Sequence, residues 1–356
     1  MATIMREEES RKATFPFPLF PSHFSLFTSS LFPPMNKSQQ AVEAILSALR
    51  PSQTPDNWLA WIEAQALDWN DIAIRAIVFG LAPQLYRRVA DWQISIPPVA
   101  MAKLKVTHAA QAKRAANIYQ QLDRVLAACP EYGLQPIGLK GIHLAAKIYA
   151  EPALRPMNDI DLLFEPSRLP IAEKMLQELG YGGKYKSAET GAGVTKHTST
   201  FKQAGAKDNT PNPYLSSKNE RRIEPHGLLE ESWYGLKVNL TPGVRARAQQ
   251  VVLANEPILV MAREDLLLHI CIHFCFHLIE GAPSLVQFGD ILAVTQAGGF
   301  DWQVVTDRAI DRRAAPFVLA ALTLAQKILD APISQTALTQ LQAATPAKLR
   351  QHIDTL

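Results

Sequence analysis

The sequence predicts an α+β chain: a small mixed-sheet core flanked by N-terminal and C-terminal helical lobes. Three observations carry this reading. Apolar residues recur at helical spacing up to about Pro130. Between about 131 and 240, short apolar runs of strand character alternate with helical stretches. Helical spacing then resumes from Arg263 to the end. The chain has 356 residues, 47% apolar and 19% charged, so it has the material for a substantial core. A formal net charge of +3 is too small to imply nucleic-acid binding by itself. Cys129, Cys271 and Cys275 are an odd set in a long chain and read as reduced thiols, which points to a cytoplasmic protein. No membrane partner is expected, because the most apolar stretch, 266–279, is about one helix long and carries three histidines.

The elements follow in order. Residues 1–35 read as a disordered leader: Pro16, Pro18, Pro21, Pro33 and Pro34 cut a Phe-rich run that has neither period, and Met35 is a natural start for the folded protein. Residues 36–130 make the N-terminal helical lobe. Asp56 is expected to cap a helix carrying Trp58, Trp61 and Ile62, and Asn70 or Asp71 to cap the next. Pro97 and Pro98 precede a long helix through Leu104, Ile118, Leu122 and Leu126. This lobe holds no acidic, Cys or His cluster, so no chemistry is assigned to it.

Residues 131–240 form the α/β core. Strands are expected at 134–138 and 159–164, with a helix over 142–149 between them and a second helix over 168–179 that stops at Gly180. A basic excursion spans 182–220, strand-like only at 198–202, and a short strand returns at 221–226. Residues 241–356 make the C-terminal helical lobe, with caps at Asp301 and near Pro332.

The chemistry concentrates in the core. Lys140-Gly141 reads as a turn opening a helix, and the strand after Arg155 carries Asp159 and Asp161. Strand side chains alternate, so the two acids share a face about 6.6 Å apart, and Ile160 points the other way. Like charges so placed call for a cation, and a hard divalent ion such as Mg2+ suits their oxygens. Lys140 and Arg155 flank the pair and suit phosphate, as a point charge and a fork. His269, His273 and His277 share one helical face, but no Glu follows the first His of either pair as a zinc protease requires. They read as residues of a buried helix facing the active-site lobe, with Asp290 as a hydrogen-bond partner for one of them.

The order Leu139-Lys140-Gly141, Tyr149, Arg155, Asp159-Ile160-Asp161-Leu162-Leu163, Gly180-Tyr181 and Glu224-Pro225-His226 resembles the polymerase-β-type nucleotidyltransferase superfamily. More narrowly, it resembles an uncharacterised bacterial branch of it, together with the later His269, His273, Asp290 and Asp301-Trp302. The resemblance spans about 41–332 and is strongest from Gly138 to Tyr181. It implies a nucleotidyltransferase core and metal-dependent transfer of a nucleotidyl group from an NTP such as ATP to an acceptor, with loss of pyrophosphate. It further implies Asp159, Asp161 and Glu224 as catalytic metal ligands for Mg2+ or Mn2+. Lys140, Gly141, Arg155 and His226 would be nucleotide- or phosphate-binding residues. The acceptor, whether small molecule, protein or nucleic acid, is left unnamed.

The chain departs from the superfamily in having Lys140-Gly141 where Gly-Ser is usual, and Glu224-Pro225-His226 where Asp and an ordinary strand residue precede the His. Because Pro cannot donate a ladder hydrogen bond, its strand is expected at an edge or a bulge. The departures favour one rival reading, a catalytically inactive binding or antitoxin-like module of the same fold; a second rival is a sugar-nucleotide glycosyltransferase, which also uses Asp-x-Asp with a metal.

Overall fold

The computed structural model describes residues 35–185, 189–190, 193–194, 199–203, 221–233, 236–281 and 284–354. The leader expectation for 1–34 and most of the basic excursion lie outside the described residues.

Among the described residues five helices come first: α1 (Lys37–Leu49), α2 (Pro55–Ala64), α3 (Trp69–Val78), α4 (Ala82–Asp91) and α5 (Pro98–Ala128). Their starts are sharper than the sequence reading had them. Thr54, not Asp56, caps α2, because Pro55 takes the first helical position and Asp56 falls in the first turn. Asp68 accepts from the Asn70 amide and so caps α3 ahead of both expected residues. Trp58 is fully buried, and its indole N–H donates to Ala44 O at 2.8 Å, tying α2 to α1.

The core runs through β1 (Ile137–Gly138), α6 (Lys140–Lys147), β2 (Asp159–Leu163), α7 (Leu169–Glu178), β3 (Tyr181–Tyr185), β4 (Glu189–Thr190), β5 (Gly193–Val194), β6 (Ser199–Gln203) and β7 (Arg222–His226). It continues with β8 (Glu230–Trp233), β9 (Leu236–Asn239), α8 (Val244–Arg247), β10 (Gln249–Leu253) and β11 (Glu256–Val260). One mixed sheet has the order β10-β11-β1-β2-β7-β6-β3, while β4-β5 and β8-β9 are separate two-stranded ribbons. The sheet therefore continues past residue 240, where the core was expected to end. Its last hairpin was hidden because Pro257 and the exposed Gln249, Gln250 and Val252 blur the strand alternation.

The C-terminal helices are α9 (Arg263–Ile279), α10 (Leu285–Ala297), α11 (Trp302–Asp311), α12 (Ala315–Leu329), α13 (Gln335–Ala344) and α14 (Ala347–Asp354). They do not form a lobe of their own. Residues of α1–α4 and of α9–α14 share one apolar cluster, from Ala44 and Ile45 to Leu319 and Leu341. Arg50 donates to Ile328 O at 2.7 Å, and Ser52 bonds Asp330, joining the end of α1 to the end of α12. Two separately predicted lobes are thus one helical body, since neither set buries its apolar stripes alone. Among the described residues no helix is long and apolar enough to cross a membrane.

A second apolar cluster lies on one face of the sheet. Ile160, Leu162, Ile223 and Val260 meet Ile118, Leu122 and Val125 of α5 and Met175 and Leu176 of α7. Helix α5 belongs to both clusters, its first half to the helical body and its second half to the sheet.

Candidate active site

The site follows from strand alternation and register. With Ile160 and Leu162 committed to the core, Asp159, Asp161 and Leu163 project from the other face of β2. Strand β7 runs parallel to β2 with Asp159 opposite Arg222, Asp161 opposite Glu224 and Leu163 opposite His226. The third carboxylate therefore stands beside Asp161, and His226 one pleat further on. Contrary to the edge or bulge expected from Pro225, β7 is an interior strand between β2 and β6. Proline is accommodated because the pairing with β6 registers Phe201 with Ile223, short of Pro225.

Asp161, Glu224 and His226 are all buried, and their candidate ligand atoms lie within 4.8 Å of one another. His226 Nε2 lies 2.7 Å from Asp161 Oδ1, and Lys140 Nζ lies 3.1 Å from Asp161 Oδ2. A carboxylate only accepts, so His226 Nε2 carries the proton in this contact. Thr200 Oγ1 donates to Glu224 Oε1 at 3.4 Å. Arg222 reaches Asp159 and Glu224, each at 3.9 Å. Asp159 stands at the rim, with a third of its side chain exposed.

Charge balance follows this geometry. Burial pushes the Asp161 carboxyl up, but Lys140 and His226 outweigh it and hold it well below the usual range. Asp159 lacks such close partners, and burial plus the Asp161 charge raise it. Burial would lower the Lys140 ammonium, yet Asp161, Asp159 and Glu231 keep it raised. Lys140 also opens α6 with a φ of 39°, a left-handed backbone that a side chain rarely adopts. That conformation sets the ammonium against Asp161 while Leu139 N–H donates to Asp161 O at 3.1 Å.

Arg155 sits elsewhere. Its fork closes on Asp290 of α10, with Nη2 2.7 Å from Oδ2 and Nε 3.1 Å from Oδ1. Tyr149 donates its hydroxyl to the same carboxylate at 2.9 Å. Asp290 is thereby committed to Arg155 and Tyr149, not to a histidine of α9 as the sequence reading expected. Gly141 is small because a Cβ there would stand 2.9 Å from Arg155 Nη1. Two of the α9 histidines face the core, His273 with Nδ1 2.9 Å from Glu231 Oε1 and His269 lining a pocket with His226 and Glu231, while His277 is partly exposed.

Helix α5 contributes what sequence reasoning missed. Arg114 donates to Asn158 Oδ1 at 2.7 Å, just before Asp159. Gln121 clamps Arg221 from both sides, donating to its carbonyl at 2.9 Å and accepting its N–H at 2.8 Å, just before β7. The spacing of these residues puts them on one helical face two turns apart, so one helix sets the start of both site strands. The available signal was polar Gln111, Arg114 and Gln121 on the same face as apolar Ile118 and Leu122.

Fold and site together define a mixed α/β protein with a buried cluster of acids and an imidazole able to hold a metal ion. The family model described as "Uncharacterised nucleotidyltransferase" matches residues 65–330. The chain belongs to this family and is an enzyme of the nucleotidyltransferase class. Among solved structures, the solution structure of the antibiotic-resistance factor ANT(2'')-Ia is similar at 14% identity and a TM-score of 0.35, covering 55% of this chain and 93% of that one. No curated protein matches the chain by sequence.

Proposed function

We propose that this enzyme moves a nucleotidyl group from an NTP to an acceptor hydroxyl at the Asp159, Asp161 and Glu224 face, with Mg2+ or Mn2+ as cofactor. The observation that carries the reading is the register that sets Glu224 directly beside Asp161 on parallel neighbouring strands. The donor set fits such an ion: two buried carboxylates side by side need positive charge, and oxygen-rich sites favour Mg2+ or Mn2+. Asp161 and Glu224 would hold the ion, with Asp159 at the rim and His226 within the same cluster. When bound, it supplies neutralisation of phosphate charge and activation of the attacking oxygen.

The chain's own groups do the rest. The acceptor oxygen bonds to the α-phosphorus, the bond to the bridging oxygen breaks, and pyrophosphate leaves. Lys140, at the N-terminus of α6, binds phosphate together with the backbone N–H groups there. Arg222 is the second phosphate cation, because Arg155 is taken up by Asp290. Glu224 orients the acceptor and takes up its proton, and His226 Nε2 holds Asp161 in place through Oδ1.

The test is label transfer from each NTP, labelled on the α-phosphate, to components of a cell extract with Mg2+ or Mn2+. Incorporation that disappears in Asp161→Asn and Glu224→Gln is expected. Transfer that survives both substitutions, or turnover of UDP-sugars instead, sinks the reading.

A further inference from the structure

The histidine face of α9 holds a second arrangement, separate from the acidic cluster. His273 and His277 are one helical turn apart, and their Nε2 atoms stand 3.2 Å from each other. Each ring turns its other nitrogen toward a carboxylate. His273 Nδ1 is 2.9 Å from Glu231 Oε1, and His277 Nδ1 is 3.4 Å from Glu280 Oε2. The Glu231 carboxylate accepts only, so His273 Nδ1 carries its proton, and in a neutral ring that leaves a lone pair on His273 Nε2. His277 Nε2 hydrogen-bonds to that nitrogen, and a metal ion that displaces the one shared proton would take both Nε2 lone pairs.

We propose that His273 and His277 are a transition-metal site of the zinc, cobalt or nickel type, outside the nucleotidyl-transfer centre. Two imidazole nitrogens on one tetrahedral ion, each about 2.0–2.1 Å from it, stand about 3.3 Å apart, close to what is seen. Histidines at i and i+4 on a helix present this chelate from one face. Imidazole selects borderline ions such as these over Mg2+, which needs oxygen. The Glu231 carboxylate on His273 Nδ1 is the kind of outer partner that fixes tautomer and ring direction in histidine metal sites, and Glu280 adds negative charge beside His277. No third His, Cys, Asp or Glu joins the pair among the described residues, so water completes the coordination. His277 is 33% exposed and gives that water access. Since Glu231 belongs to β8, the bound ion would tether α9 to the ribbon bordering the pocket next to His226.

The test uses the full-length chain stripped with a chelator, titrated with Zn2+ by calorimetry and with Co2+ by visible absorption. It is run in an Asp161→Asn background to remove the oxygen-rich cluster. One equivalent is expected to bind, with cobalt bands of nitrogen coordination. Loss of an imidazole in His277→Ala should weaken binding by about tenfold or more, and Glu231→Gln by about 10–100-fold. His277→Gln keeps the bulk and serves if the alanine variant misfolds, as checked by circular dichroism. Absence of binding in folded Asp161→Asn protein, or affinity unchanged in both His277 variants, overturns the proposal.

Discussion

Removing the Asp290 carboxylate gives the most demanding test of how the site is built. Arg155 and Asp290 form a pair whose side chains are 11% and 2% exposed, 135 residues apart in sequence. In Asp290→Ala the guanidinium keeps its bond to Pro156 O but loses both carboxylate contacts, and the Tyr149 hydroxyl loses an acceptor. Stranding one partner of a buried pair costs about 3–5 kcal/mol. With a urea slope of about 3 kcal/mol per molar, the unfolding midpoint should fall by roughly 1 M or more. The double variant Arg155→Met with Asp290→Leu strands no charge, so it should lose less than the two single variants combined. Far-UV circular dichroism and tryptophan fluorescence across a urea series read all five proteins: wild type, Asp290→Ala, Arg155→Met, Asp290→Leu and the double variant. A loss below about 1 kcal/mol in Asp290→Ala, or additive single variants, would refute the claim that Arg155 and Asp290 are a buried, mutually dependent pair.

Other expectations rest on different contacts. Gly141→Ala should destabilise: better helix propensity offers about 1 kcal/mol, whereas a Cβ 2.9 Å from the held Arg155 guanidinium and 3.1 Å from Met157 Cγ costs about 1–3, as thermal melts would show. Gln121→Ala leaves the Arg221 N–H and carbonyl without their clamp, a loss on the order of 3 kcal/mol by denaturant titration. His143 is buried, and burial, Arg263 and Lys147 lower its pKa from 6.5 to about 4. Its neutral form is the one that folds, so its contribution is present above pH 6.5 and is lost as pH falls toward 4. At about 1.4 kcal/mol per pH unit, this amounts to about 3 kcal/mol, and His143→Phe should flatten that part of the stability profile.

Much of the site was legible because its logic is local. A period of two placed Asp159 and Asp161 on one face, and Lys140-Gly141 marked the opening of α6. Glu224 and His226 were named through the family resemblance, and the position of Glu224 beside Asp161 depended on the parallel register of β2 with β7. Arg155 was expected at phosphate because its fork suits a phosphate as well as a carboxylate, and only the fold showed that the carboxylate of Asp290 meets it. Caps slipped by a few residues where Pro55 and Asp68 outcompeted the neighbouring acids.

By itself, then, the order of amino acids determined most of the helices, the strands around Asp159 and Glu224, and which acids share a face, since these depend on residues a few positions apart. Tertiary structure decided what meets across long separations. It joined α1 to α12 in one helical body, added β10 and β11 to the sheet, and brought Asp290 to Arg155. The reason is physical: alternation and helical period say which side of an element is apolar, whereas partners are selected by how all those sides bury together.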